Sequence, residues 1–149
     1  MAINYAGRRD DADALAAELT AAGGQAIALQ ADVADPQAVR QLFDAIEARF
    51  GGVDVVVNSA GVLQLAALAD SDDALFERVM GINLKGAFNV LRESARRVRD
   101  GGRIVTLSTS VVGIKLENYS VYAASKAAVE TLGAILSKEL RGRGITVNA

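Results

Sequence analysis

Short apolar runs alternate with longer segments of helical periodicity along the whole chain, and this alternation constrains the fold more than any other feature. The clearest strand is 53–57, a run rich in β-branched residues that is typical of a strand covered on both faces. Helical segments lie on either side of it, and glycine pairs follow several of them. Strands that alternate with helices predict a doubly wound α/β fold, in which a parallel sheet carries helices on both faces.

The same two periodicities predict the other elements. Helices are predicted over 10–22, 36–50, 72–99 and 120–141, the second with Asp35 as its N-cap and Pro36 in its first turn. Strands are predicted over 26–31 and 103–108, and a further strand begins in 144–148. In the third helix the candidate inner positions are Leu75, Val79, Ile82, Leu84, Phe88 and Leu91.

Composition excludes several classes of function. The chain has 149 residues, 51% of them hydrophobic, and a net charge of −2, which suits one domain and gives no basic bias toward nucleic acid. It has neither cysteine nor histidine, so catalysis must use hydroxyls, amides, lysine or carboxylates, and no metal site is expected. No apolar run is long enough to span a bilayer and the first residues do not resemble a signal peptide, so a cytoplasmic protein is expected.

Polar residues follow three of the predicted strands. Asp32 and Val33 come after the first, 58–61 (Asn-Ser-Ala-Gly) after the second, and 108–110 (Ser-Thr-Ser) after the third. In open α/β sheets, ligands bind beyond the carboxyl ends of the strands. These positions are therefore candidate ligand contacts, although an Asp after a strand, taken alone, is more often a turn or helix cap.

Tyr122 and Lys126 lie four residues apart in the last predicted helix, and so on one face of it. A free phenol has a pKa near ~10 and is a poor base at neutral pH, but a nearby ammonium favours the phenolate. The pair can therefore move a proton to or from a substrate oxygen. An ordinary surface pair has the same spacing, whereas the competing Tyr119 has no lysine four residues after it.

Six signals in one order resemble the short-chain dehydrogenase/reductase family over essentially the whole chain. They are Asp32-Val33, Asn58-Ser-Ala-Gly61, Asn83-Leu-Lys-Gly86, Ser110, Tyr122-Ala-Ala-Ser-Lys126 and Ile145-Thr-Val-Asn-Ala149. The stretch around Tyr122 is most similar to the branch of 3-oxoacyl-(acyl carrier protein) reductases and glucose dehydrogenases. The resemblance implies a Rossmann-type sheet and an oxidoreductase that converts a carbonyl to an alcohol, or the reverse, with a nicotinamide cofactor.

The resemblance also implies a role for each of four catalytic residues. Tyr122 transfers the proton, Lys126 tunes it and holds the nicotinamide ribose, and Ser110 binds the substrate oxygen. Asn83 holds water in a proton relay. Ser108 or Thr109 are alternatives to Ser110, and Asn83 is open to a second interpretation as a solvated residue in a helix.

Cofactor choice depends on the start of the chain. An acid near the end of the second strand of this fold binds the 2′-hydroxyl of NAD, whereas a nearby arginine accommodates the 2′-phosphate of NADP. Here Asn4 replaces the acid, and Arg8 and Arg9 follow, which favours NADP(H) over NAD(H), although the arginines also read as a solvated charge cluster. The implied cofactor contacts are Asn4, Tyr5, Arg8, Asp32, Val33, Asn58, Ala60, Gly61, Tyr122 and Lys126.

The chain departs from the family at the phosphate-binding turn, Thr-Gly-x-x-x-Gly-x-Gly, which it does not contain. We expect residues 1–149 to form a partial domain that lacks the family's first and last strands. The first strand is central in the 3-2-1-4-5-6 order, so the two halves of the sheet are expected to share no ladder. Ser59 is a smaller departure, since the family usually has a second asparagine there.

Alternatives to the carbonyl reductase remain open. One is a non-catalytic fragment that acts only in assembly, and another is an NAD-dependent sugar or alcohol dehydrogenase of the same family. The resemblance also predicts a homodimer or homotetramer formed through helices 72–99 and 120–141.

Overall fold

Helices and strands alternate in the computed structural model, which describes residues 1–149. The elements are β1 (Ala2–Tyr5), α1 (Arg9–Ala21), β2 (Ile27–Gln30), α2 (Pro36–Phe50), β3 (Val53–Asn58), α3 (Asp73–Val79), α4 (Gly86–Arg97), β4 (Val98–Thr106), α5 (Val111–Ile114), α6 (Ser120–Glu139) and β5 (Thr146–Asn148). A π-helical turn, Met80–Lys85, joins α3 to α4, and two 3₁₀ turns cover Leu68–Asp70 and Arg141–Arg143. None of the helices combines the length and apolar character that a membrane span requires.

The strands form two separate parallel sheets. β1 pairs with β2 so that Asn4 lies opposite Leu29, whereas the second sheet has the order β3-β4-β5. β1 has no partner other than β2, and β3 has none other than β4. The predicted α/β fold with parallel strands is therefore present, and its two halves share no ladder, as expected.

The main core belongs to the three-stranded sheet and the helices that cover it. Its twelve buried residues are Val33, Val39, Phe43, Val53, Val90, Leu91, Val98, Ile104, Leu136, Leu140, Ile145 and Val147. α2 begins where predicted, because the Asp35 carboxylate accepts a hydrogen bond from the Gln37 amide at 2.8 Å and Pro36 is the first residue of the helix. Gly51 ends it with a φ of 79°, a conformation that favours glycine.

The prediction that 53–57 is covered on both faces is wrong. Val53 is buried, but Val55 and Val57 are each 60% exposed. Because side chains alternate along a strand, Val55 and Val57 lie on one face of β3, and that face is open to solvent from Val55 onward. The β-branched run predicted the strand correctly, but it did not predict which of its faces are covered.

The predicted helix 72–99 is interrupted. The π turn between α3 and α4 inserts an extra residue into the helical repeat, so the buried face after it rotates. Leu75, Val79 and Leu91 are buried as predicted, but Phe88 is exposed. The helical pattern, which assumes one uninterrupted period, is therefore correct before the turn and wrong for Phe88 after it.

The strand predicted at 103–108 begins earlier and ends earlier, at Val98 and Thr106. Gly101 and Gly102, predicted to end the helix, lie inside β4, where its pairing with β3 shifts register after Val53. Gly102 packs so closely on Val98 that a side chain has no room there. The glycine pair therefore marks an irregularity inside the strand and not the end of the preceding helix.

Candidate active site

Tyr122 and Lys126 lie together on α6, and Lys126 is not a surface residue. Its side chain reaches inward, where Nζ donates a hydrogen bond to the Leu107 carbonyl at 2.8 Å, and only 6% of the residue is exposed. Nζ is 5.9 Å from the centre of the Tyr122 ring. Burial lowers the pKa of Lys126 below its ordinary value, because desolvation penalises the ammonium.

Asn83 lies in the π turn and is almost completely buried. Its Nδ2 donates to the Val62 carbonyl at 2.9 Å and to Ser125 Oγ at 3.1 Å, and its Oδ1 accepts from the Val62 amide at 2.7 Å. The interpretation of Asn83 as a solvated residue is therefore wrong. Its amide fastens the loop after β3 to α6, and π turns of this kind are frequent at functional sites.

Ser125 connects Asn83 to the turn of α6 that carries the tyrosine. The residue is 0% exposed, accepts the hydrogen bond from Asn83 and donates its own hydroxyl hydrogen to the Tyr122 carbonyl at 2.7 Å. Ser125 was not among the candidate residues predicted from the sequence. The available signal was a hydroxyl inside the Tyr-x-x-x-Lys spacing, on a helix whose other buried residues apart from Lys126 carry no polar side chain.

Gly61 brings the loop after β3 against the same residues. A Cβ atom at this position would lie 3.2 Å from Asn83 Oδ1 and 3.3 Å from Lys126 Nζ. A side chain at this position would therefore crowd both atoms, which favours glycine. The backbone of Gly61 thus lies close to both Asn83 and Lys126.

The three hydroxyls after β4 differ in their partners. Ser108 donates to the Glu130 carboxylate, and Thr109 Oγ1 accepts from the Val111 amide at 3.3 Å. Ser110 is exposed at the start of α5 and makes no capping hydrogen bond there. Glu130 was also missed by the sequence analysis; it lies four residues after Lys126 on α6 and fixes the segment whose carbonyl holds that lysine.

A cleft of about 540 Å³ opens at the carboxyl ends of β1, β2 and β3. Seven of the ten predicted cofactor contacts line it, namely Asn4, Tyr5, Arg8, Asp32, Val33, Ala60 and Gly61. Asn58, Tyr122 and Lys126 are not among the lining residues. Asn58 is buried in the sheet, where its carbonyl accepts from the Leu107 amide at 3.0 Å.

Asn4 in β1 and Arg8 just before α1 have different bonding partners. Asn4 Nδ2 donates to the carbonyls of Leu29 and Ala31 at 3.2 and 3.0 Å, so its amide ties β1 to β2. Arg8 is open to solvent and pairs only with Asp11 at 3.2 Å. Arg9 pairs with Asp13 and does not line the cleft. Of these two arginines, only Arg8 lines the cleft.

The segment after β2 is held from α4. Asp32 accepts from the Ala34 amide at 2.9 Å, so it does form a turn, while the Val33 carbonyl accepts from Asn89 Nδ2 at 2.9 Å. The Val33 side chain packs so closely on Gly86 that an added Cβ would lie 2.6 Å from its Cγ2. Gly86 was quoted from the sequence as part of a motif, but Asn89 was missed because its partner is 56 residues away.

Comparisons with known proteins find relatives that cover most of this chain. A family model described as enoyl-(acyl carrier protein) reductase matches residues 1–149. A short-chain type dehydrogenase/reductase from Picea abies is 47% identical over 130 residues, 85% of this chain and 48% of that protein. An NADPH-dependent aldehyde reductase-like protein from Arabidopsis thaliana is 41% identical and spans 98% of this chain and 59% of its own length. That relative is named as chloroplastic, so a cytoplasmic location stays a prediction.

Solved structures agree on the fold. A short-chain dehydrogenase from Burkholderia cenocepacia J2315 in complex with NADP superposes with a TM-score of 0.94 at 37% identity, over 99% of this chain and 60% of that one. The chain spans about half to three fifths of the length of the relatives it matches. It belongs to the short-chain dehydrogenase/reductase family.

Proposed function

We propose that this chain forms the catalytic part of an NADP(H)-dependent oxidoreductase that interconverts a carbonyl and an alcohol. One observation carries the proposal. The turn of α6 that carries Tyr122 and Lys126 is bonded to Asn83 through the buried Ser125, and Gly61 lies between this cluster and a cleft at the ends of three strands. A buried amine beside a phenol at that edge of a parallel sheet is suited to proton transfer.

Each residue has a defined part in the proposed reaction. Tyr122 gives a proton to the carbonyl oxygen during reduction and takes it back during oxidation. Burial lowers the pKa of Lys126, which makes it a readier proton donor than an exposed lysine. Ser110, which is not used as a cap, donates to the substrate oxygen.

Asn83 has a positioning part in this proposal. Both N–H bonds of its amide are donated to Val62 and Ser125, so the side chain first of all holds the loop after β3 against α6. A relay water at Asn83, as the family implies, would have to use the remaining lone pair of Oδ1 or the backbone of the π turn.

The residues of the cleft fit the adenine and ribose parts of a nicotinamide dinucleotide, which when bound supplies the hydride, whereas the family's pyrophosphate-binding turn is not in this sequence. The volume of about 540 Å³ is that of an ordinary ligand site. Asp32 and Val33 would hold the adenine end and Ala60 and Gly61 the other end, where Lys126 would bind the ribose hydroxyls. Arg8 is free for a 2′-phosphate, because an exposed pair such as Arg8–Asp11 is worth about 0–1 kcal/mol. The NADP complex of the Burkholderia relative and the NADPH-dependent Arabidopsis relative support the same choice.

Cofactor preference is tested by titration with NADPH and NADH. Arg8→Ala removes the guanidinium that would pair with the 2′-phosphate. It should weaken NADPH binding about tenfold or more and leave the affinity for NADH unchanged. Arg9→Ala is the matched control, since Arg9 lies outside the cleft lining. Equal affinities for the two cofactors in the protein that carries this chain would contradict the preference, and tighter binding of NADH would favour the NAD-dependent alternative.

Catalysis is tested in the protein that carries this chain, by following NADPH consumption with carbonyl compounds. Tyr122→Phe removes the transferable proton and should lower kcat by a factor of about 10²–10⁴ while cofactor binding is kept. Turnover that survives Tyr122→Phe unchanged would disprove the assignment.

A second candidate function is assembly, and one surface favours it. A groove of about 420 Å³ between the π turn, α4 and α6 is lined by Met80, Leu84, Phe88 and Leu132 among others. We propose that two copies associate through it, giving the dimer or tetramer predicted from the sequence. Sedimentation should show an oligomer that Phe88→Glu dissociates. A purely non-catalytic assembly module would associate in this way and yet bind neither NADPH nor NADH.

A further inference from the structure

Two surface segments beside Tyr122 carry large apolar side chains that face solvent. The first rim segment is 62–68, between β3 and α3, and the second rim segment is 113–119, at the end of α5 and the start of α6. Their exposed apolar residues are Leu63, Leu65, Leu68, Ile114 and Leu116, each close to half exposed or more. Contiguous exposed apolar patches of this kind usually mark binding sites.

Both segments are attached to the proposed catalytic cluster at their ends. Val62, at the start of the first rim segment, exchanges two hydrogen bonds with Asn83. The segments are joined where the Ala66 amide donates to the Asn118 carbonyl at 3.1 Å. Tyr119, which ends the second rim segment, places its ring 6.2 Å from the Tyr122 ring in an edge-on contact. The two rim segments are therefore attached to each other and, through Asn83 and Tyr119, to the residues around Tyr122.

The layer beneath these segments is apolar as well. A small hydrophobic cluster separate from the main core contains Leu75, Val79 and Val121, with Val62 and Ala66 packed on it. Val121 precedes Tyr122 in the chain, so the turn that presents the phenol rests on this layer.

The rim segments offer little to a charged or highly hydroxylated substrate. Their only ionised side chains are Lys115 and Glu117, which cancel in charge. Phosphate recognition uses arginine or lysine clusters, and each sugar hydroxyl needs a fixed polar partner. The rim segments have no cluster of cations, and their only side-chain amides are those of Gln64 and Asn118, whereas five large apolar side chains are exposed.

We infer that the site takes neutral carbonyl compounds with an alkyl or aryl body, which lies against the rim segments while the carbonyl group faces Tyr122. This substrate class rests on the proposed function and narrows it. Sugars and phosphorylated or otherwise anionic carbonyl compounds are excluded as preferred substrates.

The experiment is a ligand titration of the chain with ¹³C-labelled leucine, isoleucine and valine methyl groups, in the absence of cofactor. Three ketones are compared: acetophenone, dihydroxyacetone and dihydroxyacetone phosphate. Acetophenone should shift the methyl signals of Leu63, Leu65 and Leu116, with an affinity about tenfold or more above the other two. Leu63→Asn and Leu116→Asn should each weaken acetophenone about tenfold, whereas Ile135→Asn, equally exposed but far along α6, should not.

Three results would overturn the inference. They are equal or tighter binding of either dihydroxyacetone compound, shifts confined to Val55 and Val57 on the open face of β3, and unchanged affinity in both leucine variants. The titration involves no cofactor and no chemistry. Binding at the rim without any turnover in the NADPH assay would count against the proposed function alone, and turnover that prefers dihydroxyacetone would count against the substrate class alone.

Discussion

The two sheets of this molecule are built very differently. The first, β1 and β2 with α1, buries mainly small side chains, and α1 contributes only Ala12 and Ala16 to the interior. The second, β3 to β5 with α2, α4 and α6, contains eleven of the twelve residues of the main core, since only Val33 comes from before α2. Apolar burial is the dominant favourable term in folding, so the second sheet should carry most of the stability.

The proton-transfer residues and part of the cofactor cleft lie in these two different sheets. Asn83, Ser125, Tyr122 and Lys126 belong to the well-packed second sheet and its helices, whereas Asn4, Tyr5 and Arg8 belong to the first. Proton transfer residues are thus held by a core, while half of the cofactor cleft depends on how firmly the small sheet is attached. Four predictions address this contrast, in order of expected size.

The largest effect should come from one substitution made in both sheets. Ile104 is fully buried in β4, whereas Ile3 in β1 is only partly buried. Ile104→Ala leaves a cavity and should lower the free energy of unfolding by about 2–5 kcal/mol. Ile3→Ala should lower it by about 1 kcal/mol. Urea unfolding followed by circular dichroism measures both, and equal losses would refute the contrast.

A smaller loss is expected at the polar centre of the second sheet's helices. Ser125→Ala leaves one N–H of the buried Asn83 without an acceptor, which should cost about 1–3 kcal/mol of unfolding free energy. Ser137→Ala is the matched control on the same helix, because its hydroxyl bonds the Ala134 carbonyl at the surface. A Ser125→Ala chain as stable as the control would mean that the Asn83 bond contributes nothing.

A still smaller loss of unfolding free energy is expected where the first sheet is attached to the second. Asn89→Ala removes the donor to the Val33 carbonyl and should cost about 1 kcal/mol. Hydrogen exchange is the decisive measurement, since local openings report on separate parts of a structure. Amides of β1 and β2 should lose protection while those of β3 to β5 keep theirs. Uniform loss across both sheets would show that the molecule opens as one unit.

Most element positions followed from the sequence because they depend on local patterns. Asp35 and Pro36 fixed the start of α2 through backbone chemistry that involves only neighbouring residues. The spacing of Tyr122 and Lys126 likewise placed both on one helix face. Such features need no knowledge of the rest of the fold.

Features set by distant partners did not follow. Phe88 was predicted to lie in the core because no local sequence pattern indicates the π turn. That turn brings Asn83 to Val62 and to Ser125, which is 42 residues away from it. Ser108 and Glu130 are 22 residues apart, and neither reveals its partner in the sequence. Val55 and Val57 were expected to be covered because a β-branched run reports a strand's preferred environment, not whether a neighbour is present.

The smallest effect is a dependence of stability on pH that belongs to Lys126. Burial lowers its pKa in the folded chain, so between that value and the ordinary lysine pKa the unfolded chain binds a proton that the folded chain has released. The free energy of unfolding should therefore rise with pH across this window, whereas below it the cost of burying the ammonium is constant. Lys126→Met should lack the rise, and the exposed Lys138→Met should retain it. Urea unfolding at several pH values between about 7 and about 10.5 measures the difference, and parallel curves for Lys126→Met and the unchanged chain would show that the amine is not desolvated.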